Sequence, residues 1–141
     1  MPSPDAAPPL IRVAAVILRD ADGRVLTVRK NGTGRFMLPG GKPEPGESPE
    51  QTALRETHEE VGLTLDAGLL RPLGVFRAAA ANEAGHEVEG HVFVHPLTSD
   101  PAPAGEIAEL RWLAPDASLP HDLAPMLEHH VLPAVRRLGD V

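Results

Sequence analysis

An α/β sandwich around a mixed β-sheet is the fold class this sequence predicts, on three observations. Short β-branched, apolar runs recur along the chain and are separated by turns rich in proline and glycine. A strongly capped helix follows Ser48, and a second helical pattern closes the chain. Strands and helices do not alternate strictly, which argues against a purely parallel sheet.

The elements follow in order. Residues 1–9, rich in proline and alanine, read as a disordered tail, and residues 10–141 as one domain. "IRVAAVILRD" is β-branched and apolar, the pattern of a buried strand. Asp22-Gly23 supplies a turn signal, and "VLTVRK" follows as the second arm of a hairpin. "NGTG" is a loop, and "RFMLPGG" a short strand closed by Pro39, Gly40 and Gly41. The helix then starts at Ser48, which can cap it, with Pro49 at the first helical position and Gln51 completing a capping box. Gly62 fits the position just beyond its end. Leu54, Thr57 and Val61 form the expected buried stripe. Further strands are expected at "LRPLGVFRA", "HEVEGHVFVHPL" and "AELRWLAP". The last helical pattern runs from Asp122 to Leu138, and Pro133 should kink or split it.

Composition excludes several classes. A net charge of −7 offers no basic surface to a nucleic-acid backbone, so polymeric DNA or RNA is not expected as a partner. A small anionic ligand stays open, because a metal ion reverses the local sign. Zero cysteines remove disulfides and thiolate metal sites. The first ten residues lack a basic start and an apolar stretch, and no apolar run is long enough to span a membrane. The expectation is a cytoplasmic protein.

The capped helix carries the chemistry. Glu56, Glu59 and Glu60 share an arc of about 100° on its surface. Like charges one turn apart cost about 0.2–0.5 kcal/mol per pair. Glu59 and Glu60 also crowd the C-terminal end, where the helix dipole disfavours anions. A cation relieves both costs, and hard oxygen donors at this density suit Mg²⁺ or Mn²⁺ rather than zinc. The competing reading is a solvated face in which Arg55 and Glu59 pair along the helix.

The surrounding spacing resembles the Nudix hydrolase signature, G-x5-E-x7-R-E-U-x-E-E-x-G-U, where U is a bulky aliphatic residue. Gly41, Glu47, Arg55, Glu56, Glu59, Glu60, Gly62 and Leu63 match it strictly. Thr57 departs from it, standing where an aliphatic residue is usual. Its methyl can face the core while its hydroxyl bonds back to a carbonyl one turn earlier. The resemblance implies a Nudix-like α/β/α sandwich and hydrolysis of a nucleoside diphosphate linked to another moiety. It implies that Glu56, Glu59 and Glu60 bind the metal, with the Gly41 carbonyl completing the shell, and that Arg55 holds Glu47 and orients the carboxylates. A further acid often comes from a late loop, and Glu106 fits that place, as general base or metal ligand; Glu109 competes for the role.

Substrate contacts are less marked. Gly40 lets the loop turn tightly beside the substrate, and Asn82 offers the paired donor and acceptor that can read a purine edge. His91 is a candidate contact, whereas His58 points away from the acids. Phe36 and Phe76 are candidates to stack on a base, against core positions for both. Subfamily markers for dinucleoside polyphosphates, ADP-ribose, NADH and coenzyme A are missing. A small-molecule nucleotide, most simply a nucleoside triphosphate and including oxidised ones, remains; the alternatives are a non-catalytic nucleotide sensor on the same fold, or a hydrolase of a nucleotide sugar, ADP-ribose or a dinucleoside polyphosphate. The chain is expected to act as a monomer or homodimer.

Overall fold

A computed structural model describes residues 8–138. Most of the expected disordered tail, residues 1–7, lies outside the described residues, but Pro9 already accepts the Glu87 N–H at 2.9 Å. Six strands form one sheet: β1 (Leu10–Arg19), β2 (Val25–Lys30), β3 (Gly40–Gly41), β4 (Arg71–Ala79), β5 (Glu87–Pro96) and β6 (Ile107–Leu113). The order is β4-β5-β1-β2-β6, with β3 paired to β1. β1 and β5 run parallel from Leu10↔Glu87 to Arg19↔Pro96, while the other pairs are antiparallel. The sheet is therefore mixed, as expected.

The central strand explains the layers. Ala14 to Leu18 are all buried because β1 is covered on both faces. Ala14, Val16 and Leu18 pack towards α1 (Pro49–Val61) with Ala53, Val61 and Leu63. Ala15 and Ile17 pack on the opposite side with Leu127, Val131 and Val135 of the C-terminal helical segment. Successive side chains of a strand point to opposite faces, so one strand feeds two cores. No helix among the described residues is long and apolar enough to cross a membrane.

α1 forms where its signals place it. The Ser48 Oγ accepts the Gln51 N–H, the Gln51 side chain accepts the Ser48 N–H, and Gly62 closes the helix at φ 74°. Two details differ from expectation. Leu54 is only half buried, and the buried set is Thr52, Ala53, Thr57, Glu60 and Val61. The Thr57 hydroxyl is buried without a hydrogen-bond partner. It is Thr52 whose hydroxyl bonds back, to the Ser48 carbonyl at 3.0 Å, and it also donates to Glu47 at 2.7 Å.

The last helical pattern also starts later than expected. Phe36 N–H donates to the Asp122 carbonyl and Ala124 N–H to the Phe36 carbonyl, both at 2.8 Å, which holds residues 122–124 extended. Leu127–Val131 then form a π-helical turn, in which Leu132 N–H reaches the Leu127 carbonyl, and α2 (Leu132–Leu138) follows. Pro133 offers no N–H and its ring crowds the carbonyl four residues back, so the wider turn absorbs the clash in place of a break.

Candidate active site

α1 presents its acids to a cleft, and Arg55 organises them. Its guanidinium grips Glu47 with two bonds, Nε to Oε2 at 2.8 Å and Nη2 to Oε1 at 2.9 Å. Nη1 donates to Glu56 at 2.9 Å and to Glu59 at 3.2 Å, and Nη2 reaches the Lys42 carbonyl at 3.1 Å. One planar cation thus ties the loop before the helix to two helical carboxylates. The Arg55 hydrogen bonds pull the Glu47 carboxyl down to about 2. Burial pushes Glu56 up from its ordinary range, against the pull of Arg55.

Glu60 has a different environment. It is 6% exposed, accepts the Gly40 N–H at 3.0 Å, and faces Lys30 Nζ at 4.0 Å. Desolvation raises it to about 7, although the Gly40 bond and Lys30 both act to lower it. The glycine pair is needed for contact. A Cβ on Gly40 would strike the Ala14 carbonyl, and one on Gly41 would lie within 2.8 Å of the Glu56 carboxyl group. Gly41 therefore presents bare backbone against Glu56.

The loop before β6 closes the C-terminal end of α1. Ala104 N–H donates to the Glu60 carbonyl at 3.0 Å and Ala102 N–H to the Val61 carbonyl at 3.1 Å. These bonds satisfy carbonyls the helix leaves unpaired at its end. They also carry Glu106 to the cleft wall, where it and Gly105 line the same cleft as Glu56, Glu59 and Glu60. A shift in the β2–β6 register between Arg29 and Lys30 accompanies this approach, and Asn31 N–H donates to the Glu106 carbonyl at 2.8 Å. Glu109 instead pairs with Arg29 at 2.9 Å and does not border the cleft.

The cleft has a volume of about 880 Å³ and a chemically mixed lining. Its lining includes five glutamates, Glu56, Glu59, Glu60, Glu83 and Glu106, with Lys30, Lys42, Gly40 and Gly41, and also aliphatic side chains such as Ile11, Val13, Val88 and Met126. The chain matches the NUDIX domain over residues 9–134. The chain belongs to the Nudix family.

Relatives of this Nudix chain bear several names. It is 34% identical to a Bacillus subtilis protein provisionally named 8-oxo-dGTP diphosphatase, over 72% of this chain and 65% of that protein. Identity is 40% to an isopentenyl-diphosphate Delta-isomerase of Nocardia farcinica, over 75% of this chain and 65% of the isomerase. It is 30% to the CTP pyrophosphohydrolase of Escherichia coli, over 82% and 84%. The chain thus spans just under two thirds of the length of the first two. The solution structure of the E. coli ORF135 protein superposes with a TM-score of 0.72 at 27% identity, covering 94% of this chain and 92% of that one.

The Nudix cleft gathers some expected residues and not others. Glu56, Glu59, Glu60, Gly40, Gly41, Glu106 and Asn82 line it. Glu47 and Arg55 stand behind the carboxylates, tied to each other. Phe36 is a correction: it is 3% exposed, lies under the Arg111 guanidinium at 3.7 Å, and cannot stack on a ligand. Phe76 packs on the core and stacks with His130. His91 lines a smaller hollow with Arg12 and Glu47, which shares Val13 and Ala14 with the cleft. His58 is exposed as expected, yet borders the cleft. Reading the sequence missed Lys30, Lys42 and Met126; a basic residue ending a strand next to a glycine-rich loop was the available signal for Lys30.

The acids fit a hard divalent ion by chemistry. The carboxylates of Glu56, Glu59 and Glu60 and the Gly41 backbone border one cleft and offer hard oxygen donors. Among the described residues, no group of three acidic or histidine side chains converges as a ready cage. Arg55 and the Gly40 N–H occupy these carboxylates instead.

Proposed function

We propose that this chain is a divalent-metal-dependent pyrophosphohydrolase acting on nucleoside triphosphates, oxidised ones included. One observation carries the reading: a single cleft of about 880 Å³ is lined both by five glutamates, Glu56, Glu59, Glu60, Glu83 and Glu106, and by aliphatic side chains, with room for a nucleotide. The names of the Bacillus and Escherichia relatives support a nucleotide.

Gly41, Glu56, Glu59 and Glu60 would hold Mg²⁺ or Mn²⁺. The ion supplies charge neutralisation for phosphate oxygens and acidifies water. The protein does the rest. Arg55 fixes the directions of Glu47, Glu56 and Glu59, so the carboxylates need little reordering when the substrate arrives. Lys30 and Lys42 border the cleft and draw the polyphosphate towards the acids. Glu106 takes the proton from the attacking water, and its loop is held in place by the end of α1.

A second reading, an isoprenoid diphosphate as substrate, is favoured by the aliphatic wall and by the Nocardia relative. A panel containing nucleoside triphosphates, a nucleotide sugar, ADP-ribose and isopentenyl diphosphate separates them. Glu59→Gln tests the site itself. Glu59 is 53% exposed, so its removal should change metal-free stability by less than about 0.5 kcal/mol. Turnover should fall about a hundredfold, on the order of 3 kcal/mol in the barrier. Normal turnover in this variant would return the acids to the role of a solvated face.

A further inference from the structure

None of the four aromatic side chains lines the cleft: Phe36 and Phe93 are buried, and Phe76 and Trp112 pack on the two cores. A nucleobase bound there must rest on something else. Gly90 and Met126 provide it. Gly90 lies on β5, paired with Val13 on β1 and Phe76 on β4, so its missing side chain leaves a notch in the sheet facing the C-terminal helical segment. Met126 fills that notch. A Cβ on Gly90 would strike the Met126 Sδ and come within 2.7 Å of its Cε, with Val13 Cγ2 at 3.7 Å. The Gly90 backbone has no positive φ, so conformational freedom does not explain the glycine. Its role is to let the thioether lie flat on the strand.

We propose that the Gly90–Met126 pair sets the depth of the base subsite and so selects for a purine over a pyrimidine; this rests on the nucleoside triphosphate reading above. Met126 is half buried and lines the cleft beside Val13 and Val88. Its polarisable sulfur and flexible chain give a flat, adaptable floor for a π-face where no ring is available. Seated in the notch, it leaves the cleft deep. Raised from the notch, it makes the cleft shallow. The atoms that Gly90→Ala would displace are the far end of a flexible side chain, so the substitution should lift Met126 into the cleft and leave the fold intact.

The test is a double-substitution cycle on the full chain with Mg²⁺, measuring kcat/KM for dGTP and dCTP. One methyl in a contact of this kind changes kcat/KM about tenfold or more. Gly90→Ala should therefore lower the dGTP value about tenfold and the dCTP value by less than about threefold. Most of the dGTP loss should appear in KM, because the base contact is made in ground and transition states alike. In the Met126→Ala background, Gly90→Ala should leave the dGTP/dCTP ratio within about twofold of that of Met126→Ala alone, since no side chain remains to be lifted. A purely structural role for Gly90 would lower both substrates together, and that result overturns the inference. So does an effect of Gly90→Ala that is as large without Met126 as with it. A wild-type chain inert towards every triphosphate overturns the functional reading and this inference with it, whereas an active chain with an unchanged ratio overturns only this inference.

Discussion

Replacing Glu60 by glutamine should stabilise the metal-free protein, and the gain should depend on pH. Glu60 is 6% exposed, and burial raises its carboxyl from an ordinary 4.5 to about 7. Across that window the unfolded chain releases the proton while the folded chain keeps it. Stability therefore falls as pH rises from about 4.5, and the loss is complete once pH passes about 7. At about 1.4 kcal/mol for each tenfold change in proton affinity, the ionised group costs the fold about 3 kcal/mol at pH 8. Glutamine keeps the shape and can still accept the Gly40 N–H, but carries no charge. Urea unfolding in EDTA, run on both proteins at pH 5 and pH 8, measures the difference. The variant should be more stable by about 3 kcal/mol at pH 8 and by only about 1 kcal/mol at pH 5. An equal gap at both pH values, or a less stable variant at pH 8, would refute the claim that Glu60 is a desolvated acid. The same substitution should abolish most activity, separating what the fold wants from what the chemistry needs.

Glu106→Gln should lower kcat about tenfold or more, as loss of a general base does, whereas Glu109→Gln should behave as wild type because Glu109 pairs with Arg29 outside the cleft. If steady-state kinetics show the two alike, or Glu109→Gln the worse, the base has been misassigned. Asp122→Asn should weaken the tie between β6 and the C-terminal segment, where Arg111 holds both Asp122 oxygens at 3.1 and 2.6 Å. Arg111 lowers the Asp122 carboxyl, so its contribution is present above the unfolded value and lost as pH falls through the folded one. The pair is partly exposed, so the stability gap should be under about 1 kcal/mol at pH 7 and close in strongly acidic solution. A gap unchanged by acid in denaturant titrations would contradict this.

Much of this was legible in local sequence. Ser48, Pro49, Gln51 and Gly62 mark the ends of α1 because capping depends only on neighbours, and β2 follows the Asp22-Gly23 turn signal, with Val25 to Val28 all buried. The spacing of the acids on α1 placed three of them on one wall for the same reason. Long-range pairing was not legible. Nothing in Leu10–Arg19 names Glu87–Pro96 as its parallel partner, and without that partner the notch at Gly90 is invisible. Phe36 was misplaced because a side chain's exposure depends on what crosses over it, here the Arg111 guanidinium. Asp122 to Ala124 carry a helical pattern but are drawn into hydrogen bonds with Phe36, a tertiary pull that outweighs a weak local preference. The Thr57 hydroxyl had a local partner available and does not take it, and nothing in the structure explains why.

The most direct measurement is ³¹P NMR of the purified chain with a nucleoside triphosphate, run with Mg²⁺ and again in excess EDTA. The account predicts release of the nucleoside monophosphate and pyrophosphate with the metal, and no turnover in the chelator. Full activity in EDTA would contradict the assignment of Glu56, Glu59 and Glu60 to a metal site, and no cleavage of any phosphoric anhydride with Mg²⁺ or Mn²⁺ would contradict the enzyme itself.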